Sequence, residues 1–317
     1  MQSQDLTVLE HLHTWLSQGR HAWLVTVSRT FGASPRPPGS MLAMRDDGIL
    51  VGSVSGGCIE DDLVARRATF VGAKPIITRY GFTSDEAQRF GLPCGGELEV
   101  VIESNLSAAT IGTLLHRIQL GRVFIRVVDL VTGDWQLKNA ENMNEVSITN
   151  THFSCVHGPR WRLLIIGASE IAVYLAEIAK TLDFAVTIVE PREPYRDAWR
   201  VADTTLMADM PDDAVMSFKC DAHSVIVAVS HDPKLDDMAL MAALKTPAFY
   251  VGAVGSIKTS EARRARLLTL DVTDNEVAKL HGPVGFDIGS RTPPEIAVAI
   301  AAELIATRNA HKRVTSI

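Results

Sequence analysis

The chain has 317 residues, more than one ordinary hydrophobic core needs, so two domains are expected and three at most. Hydrophobic residues make up 46% and charged residues 21%, which excludes a disordered or collagen-like chain. Thirty-one basic against thirty-seven acidic side chains leave a net charge of −6, which excludes a general nucleic-acid binder. The longest apolar run, Ile296 to Ala302, falls far short of the roughly 20 residues that cross a bilayer. Asp5 and Glu10, with no Lys or Arg before Arg20, give no sign of a secretory signal. The four cysteines form no C-x-x-C pair, and so neither a disulfide framework nor a zinc site is expected. These features point to a soluble, cytoplasmic protein without nucleic-acid or membrane partners.

Leu6, Leu9, Leu12 or His13, and Leu16 recur at helical spacing, with Asp5 to cap the start and Gly19 to close the end. Ala22 to Ser28 reads as a strand, followed by a Gly- and Pro-rich loop from Gly32 to Gly39. Two strands, Met41 to Met44 and Ile49 to Val54, are joined by the hairpin signal Asp46-Asp47-Gly48. Ser55-Gly56-Gly57-Cys58 leads into a helix from Ile59 to about Val71, and strands follow at Pro75 to Tyr80 and Glu97 to Glu103. Residues 1–105 are therefore expected to form a mixed α+β N-terminal domain. Residues 106–157 read as a connecting segment, with a helix at Ala108 to Leu120 and strands at Arg122 to Leu130 and Trp135 to Leu137. The polar stretch 139–150 serves as part of the connection.

From 158 to 317 short continuous apolar strands alternate with helices. Strands are expected at Trp161 to Ile166, Ala185 to Glu190, Ser224 to Ser230 and Ala248 to Gly252. Helices are expected at Glu170 to Leu182, Lys234 to Leu244 and Ser256 to Leu270. That alternation predicts a Rossmann-like, doubly wound parallel sheet, so the fold class of the whole is α/β. The last helix opens at Thr292-Pro293-Pro294-Glu295 and is apolar all round, which predicts close burial.

Several runs carry chemistry. Gly167, Ser169 and Ala172 stand where a dinucleotide fingerprint has three glycines, and Glu190 ends the next strand, where an acid bonds a ribose hydroxyl. A side chain at Ser169 obstructs the close approach of a pyrophosphate, which counts against NAD(P). Gly56 and Gly57 place Cys58 at a helix start, where free N–H groups favour a thiolate or a bound anion. Glu60, Asp61 and Asp62 compete for the same groups. Cys94 with Gly95 and Gly96 offers a second thiol on a turn, whereas Cys155 and Cys220 have no such context. Arg36 can pair with a phosphate or stand solvated. Ser230-His231-Asp232 follows a strand end, Gly255-Ser256 feeds a helix with Arg263 beyond, and His281-Gly282-Pro283-Val284-Gly285 is loop-like. Each of these three also reads as an ordinary turn.

Taken in order, Gly32 to Ser40, Gly52 to Glu60, Cys94-Gly95-Gly96, Ser230 to Pro233, Tyr250 to Ser256, Pro283 to Gly289 and Thr292 to Ala297 resemble the XdhC/CoxI family of xanthine dehydrogenase accessory proteins. Only about 105–160 lies outside the resemblance. It implies a maturation chaperone rather than a catalyst, one that binds the molybdenum cofactor as molybdopterin or molybdopterin cytosine dinucleotide. It further implies work with a cysteine desulfurase that supplies the sulfido ligand, and delivery to an apo molybdenum hydroxylase. The paired glycines beside them make Cys58 or Cys94, or both, the expected contacts to molybdenum. The sequence departs from the usual family pattern at Ser169 and Glu170, where glycine and histidine are commoner. An NAD(P)-dependent oxidoreductase and a thiol relay through Cys58 and Cys94 are the competing readings, and a homodimer stands open beside a monomer.

Overall fold

The leucine spacing at the start of the chain folds into α1 (Gln4–Ser17), which buries Leu6, Leu9 and Leu12. This helix opens the first of two compact units, Gln2–Pro159 and Arg160–Ile317. The computed structural model describes residues 4–32, 36–57, 59–81, 97–119, 123–139, 146–158 and 161–315.

In the first unit β1 (Ala22–Phe31), β2 (Met41–Arg45), β3 (Leu50–Gly52), β4 (Ile76–Tyr80) and β5 (Glu97–Glu103) form an antiparallel sheet in the order β3-β2-β1-β5-β4. The first seven residues of β1 are all buried because the sheet is covered on both faces. Trp23, Val25 and Val27 join Ile59 and Leu63 beside the short helix α2 (Glu60–Arg66), while α1 packs on β1 and β2. α2 stops at Arg66 and continues only as a 3₁₀ turn, Arg67–Thr69, short of the expected end near Val71.

After α3 (Ala108–Gln119), β6 (Phe124–Asp129), β7 (Trp135–Asn139), β8 (Val146–Ile148) and β9 (His152–His157) make a second antiparallel sheet, β7-β6-β9-β8. β8 lies inside the stretch read as connection, and β9 was not anticipated. β8 is three residues long, and its alternation carries too little hydrophobic signal to stand out. A buried ion pair ties β6 to β5: Arg126 Nη1 donates to both carboxylate oxygens of Glu103, at 2.8 and 2.7 Å. Arg126 is fully buried, and its guanidinium lies 5.2 Å from the Trp135 ring.

The second unit holds six parallel strands: β10 (Trp161–Ile166), β11 (Phe184–Val189), β12 (Thr205–Met207), β13 (Ser224–Ala228), β14 (Tyr250–Ala253) and β15 (Leu280–His281). Their spatial order is β12-β11-β10-β13-β14-β15. In order of appearance this is 3-2-1-4-5-6, the order of the dinucleotide-binding fold. Alternate residues feed two cores. Leu163, Ile165, Val225 and Val227 face α4 (Glu170–Thr181) and α10 (Pro293–Thr315), whereas Leu164, Ile166, Ile226 and Ala228 face the other side. That side is covered by α6 (Pro211–Phe218), α7 (Pro233–Ala243) and α8 (Ile257–Leu268). Two short helices, α5 (Glu193–Ala198) and α9 (Asp274–Val277), complete the unit. The doubly wound class read from the strand pattern is the observed one. The last helix differs in detail. Ala297, Ile300 and Leu304 are buried, but Val298 is 50% exposed, so one stripe rather than the whole circumference is covered. No helix among the described residues is long and apolar enough to cross a membrane.

Candidate functional site

At one end of the N-terminal sheet several motif ends come together. β1 finishes at Phe31, which pairs with Glu97 at the start of β5, and β2 begins at Met41, whose carbonyl accepts from the Ser53 N–H just beyond β3. Half-buried Arg36 precedes a turn sewn to β1, where the Gly39 N–H donates to the Val27 carbonyl at 2.8 Å. Cys58, Cys94, Gly95 and Gly96 lie outside the described residues. Their nearest described neighbours are Gly57 and Ile59 on one side and Glu97 on the other.

The loop carrying Gly56 and Gly57 is organised from within. Glu60, the first residue of α2, is buried, and its carboxylate accepts from the Ser53 hydroxyl at 2.7 Å and from the N–H groups of Val54 and Ser55, both at 3.0 Å. It also accepts from the Gly57 N–H at 3.1 Å, the Ile59 N–H at 3.2 Å and the Ser55 hydroxyl. Burial alone raises its pKa. The Ser55 and Ser53 hydrogen bonds with the backbone donors outweigh this and hold it at about 2. The anion expected at these N–H groups is thus supplied by the chain itself. The acid was visible in the sequence as a competitor for the helix start. Its six donors were not, because they depend on how the loop turns.

The switch point of the C-terminal unit lies between β10 and β13, where the strand order reverses. Gly167, at φ +96°, turns the chain there, and a Cβ on it would stand 2.4 Å from the Ser230 Cα. The glycine is needed for the two loops to touch as well as for the turn. Ser169 caps α4, its hydroxyl accepting from the Ala172 N–H at 3.3 Å. Glu190 is fully buried: one oxygen accepts from the Arg192 N–H at 3.1 Å and Nε at 2.8 Å. The other accepts from the Ala168 N–H at 2.9 Å and Arg192 Nη2 at 2.8 Å. Against the upward push of burial, the Arg192 and Ala168 bonds hold its carboxyl below the usual glutamate range.

On the β13–β15 side a cleft of about 790 Å³ is open. Its walls come from the loop after β13 (His231, Pro233), the β14–α8 turn (Val254, Gly255, Ser256, Ile257) and the segment 283–290, with Ile171 and Ile296 behind. His231 is exposed and sits at φ +61°, a left-handed conformation that histidine adopts more readily than most residues. Ser256 caps α8 by accepting from the Thr259 N–H at 3.1 Å. Arg263, which lies beyond the Gly255-Ser256 turn in α8, is spent inside: it bonds Asp236 at 3.1 Å, Asp237 at 3.3 Å and the Val254 carbonyl at 2.8 Å. It braces the turn that lines the cleft. Burial lifts the Asp236 pKa above the ordinary aspartate range despite the Ser230 hydrogen bond and the Arg263 charge.

One group near the cleft escaped the sequence reading. Glu303 of α10 accepts from the Tyr250 hydroxyl and the Gly285 N–H, both at 2.6 Å, and lies 2.7 Å from His281 Nδ1. It pins the 283–290 wall to β14 and β15. Burial opposes its ionisation, but the His281 and Tyr250 bonds hold its pKa below the ordinary value. Its available signal was an acid three residues beyond Ile300, on the stripe that α10 buries. Among the described residues no group of three or more His, Cys, Asp and Glu is arranged to hold a metal.

The class defined by this geometry is a Rossmann-type domain, joined in one chain to an α+β unit whose glycine loop is held by Glu60. Comparison with known proteins agrees. The family model of the XdhC Rossmann domain matches residues 163–304, and that of the XdhC and CoxI family matches residues 15–81. The molybdenum cofactor insertion chaperone PaoD of Escherichia coli K12 is 27% identical over 308 residues, covering 95% of this chain and 88% of its own. A Bacillus subtilis 168 protein described as a probable xanthine dehydrogenase subunit is 24% identical, covering 94% of this chain and 96% of its own. A crystal structure described as a xanthine dehydrogenase from Bacillus halodurans superposes with a TM-score of 0.75 at 23% identity over 96% of both chains, which shows the shared fold. The chain belongs to the XdhC/CoxI family.

Proposed function

We propose that this protein is a molybdenum cofactor insertion chaperone that binds the cofactor and hands it to an apo molybdenum hydroxylase of the xanthine dehydrogenase or aldehyde oxidoreductase type. The observation that carries the reading is convergence. Parts of the runs 230–233, 250–256 and 283–289, far apart in the chain, open onto one cleft whose size suits a small-molecule ligand. The relative named for cofactor insertion aligns over nearly the whole chain, so the reading does not rest on the Rossmann unit alone.

In this reading His231, Gly255 and Ser256 belong to the binding surface, while Gly167, Ser169 and Glu190 serve the fold of the switch point. In the N-terminal unit Arg36, Gly56, Gly57, Gly95 and Gly96 are proposed to bind the cofactor along with Cys58 and Cys94, the thiols proposed to meet molybdenum. Thiolate is a soft ligand of the kind such a metal accepts. Sulfuration with a cysteine desulfurase, cargo in the cytosine dinucleotide form, a cytoplasmic location and a homodimer belong to the same proposal. The strand order favours an NAD(P)-dependent oxidoreductase as the second reading, but the saturated Glu190 counts against it.

The test is transfer. Protein purified anaerobically with its cofactor is expected to activate the apo-hydroxylase, and Cys58→Ser and Cys94→Ser to lower cofactor retention without moving the unfolding midpoint. Cys220→Ser is expected to retain cofactor, since burial pushes that thiol up and keeps it protonated near neutral pH. Full retention and transfer by the Cys58→Ser, Cys94→Ser double variant would remove the thiols from the proposal. Failure of the unaltered protein to activate the hydroxylase would remove the function.

A further inference from the structure

The dinucleotide-binding fold has two mononucleotide halves, and in this chain they differ. In the β10–β12 half the acid at the end of β11 is the group that takes a ribose hydroxyl. An ionised carboxylate offers about four acceptor positions, and on Glu190 four are filled by the Ala168 N–H and by the N–H, Nε and Nη2 of Arg192. Glu190 has no exposed surface, and the Arg192 guanidinium is itself stacked 4.2 Å from the Tyr195 ring. A ribose has no acceptor there unless this pair is taken apart.

The β13–β15 half is different. The 790 Å³ cleft opens over it, and of its lining only Ile171 comes from the β10–α4 side. Two apolar side chains stand uncovered on its walls, Ile257 at 71% and Phe286 at 47% exposure, beside the polar groups of His231, Ser256 and Asp287. Apolar surface beside a few polar groups is the composition that holds a flat heterocycle by its faces and its edge.

We infer that the C-terminal unit grips one ring-bearing half of its cargo, in the β13–β15 cleft, and that its β10–β12 half is closed by the Glu190–Arg192 pair. The inference rests on the cofactor reading above and narrows it: of a two-part cofactor, either the pterin or the nucleotide ring sits in this unit, not both.

Hydrogen exchange on the full chain tests this. Cofactor-loaded protein, compared with cofactor-free protein, is expected to gain protection in peptides covering 230–236, 254–260 and 283–290, with 167–172 and 190–196 unchanged. Added separately to cofactor-free protein, CMP and a reduced pterin identify the ring, since the one that is held protects 254–260 and 283–290. NAD and NADP are expected to leave 190–196 unprotected. Arg192→Ala is expected to change cofactor retention less than about twofold, and His231→Asn, which keeps the left-handed preference, to lower it about tenfold. Protection of 167–172 and 190–196 by any of these ligands, protection by neither ring compound, or an Arg192→Ala loss as large as that of His231→Asn overturns the inference alone. No protection by cofactor anywhere in 161–315 overturns the cofactor reading together with it.

Discussion

Replacing Arg126 with leucine is expected to destabilise the N-terminal unit by about 3–5 kcal/mol, the cost of leaving one partner of a buried ion pair uncompensated. Both members are nearly inaccessible, Arg126 at 0% and Glu103 at 4% exposure, so water cannot take over the carboxylate when the guanidinium is gone. The same residue lies beside Trp135 and Phe153 and donates through Nε to His157 at 3.4 Å, so β5, β6, β7 and β9 all meet at it. Removing both charges is a different experiment. In Arg126→Leu with Glu103→Leu no charge is left buried, and stability is expected to return to within about 1–2 kcal/mol of the original protein. Chemical denaturation of the two single variants and the double variant measures the coupling. Equal losses in the Arg126→Leu and double variants would show that the arginine acts by packing and not by pairing with Glu103.

Replacing Glu60 is expected to cost about 3 kcal/mol, and the size follows from its own titration. A carboxyl held at about 2 in the fold and at its ordinary 4.5 when unfolded binds fewer protons in the native state. Its contribution is therefore complete above about pH 5 and is lost as the pH falls from the unfolded value toward the folded one. Glu60→Gln is not a rescue. One oxygen becomes an N–H₂ group set against donors already pointing at it, the Ser55 hydroxyl with the Gly57 and Ile59 N–H groups or the Ser53 hydroxyl with the Val54 and Ser55 N–H groups. Thermal unfolding at pH 7 and pH 3 checks this. The original protein is expected to lose stability between them, while the Glu60→Gln variant starts lower and loses less. A variant with the same acid sensitivity as the original would contradict the assignment.

Hydrophobic runs made much of the second unit legible. β10, β11, β13 and β14 are continuous apolar segments because the sheet is covered on both faces, and a strand of that kind announces itself. β8 and β9 did not, since a short antiparallel strand with one weakly apolar face resembles polar connection. The site was legible as places and not as partners. Gly167, Ser230, Gly255 and the 283–289 run could each be marked as a turn by glycine, proline and position. That Glu190 is saturated by Arg192, that Arg263 is engaged by Asp236 and Asp237, and that Glu303 reaches back to Gly285 all depend on tertiary distances no local pattern encodes. Glu190, which looked available for a ligand, is consumed by the fold, as are Arg263 and Glu303, which shifts the open chemistry to the β13–β15 cleft.

The proposed carriage of molybdenum cofactor is tested most directly by the molybdenum and pterin content of protein purified anaerobically from a molybdate-fed host. Molybdenum and oxidised-pterin fluorescence are expected in a one-to-one ratio approaching one per chain, with molybdenum absent when the host is grown without molybdate and both absent when cofactor synthesis is blocked. Protein that is folded and stable yet free of both molybdenum and pterin under those conditions would contradict it.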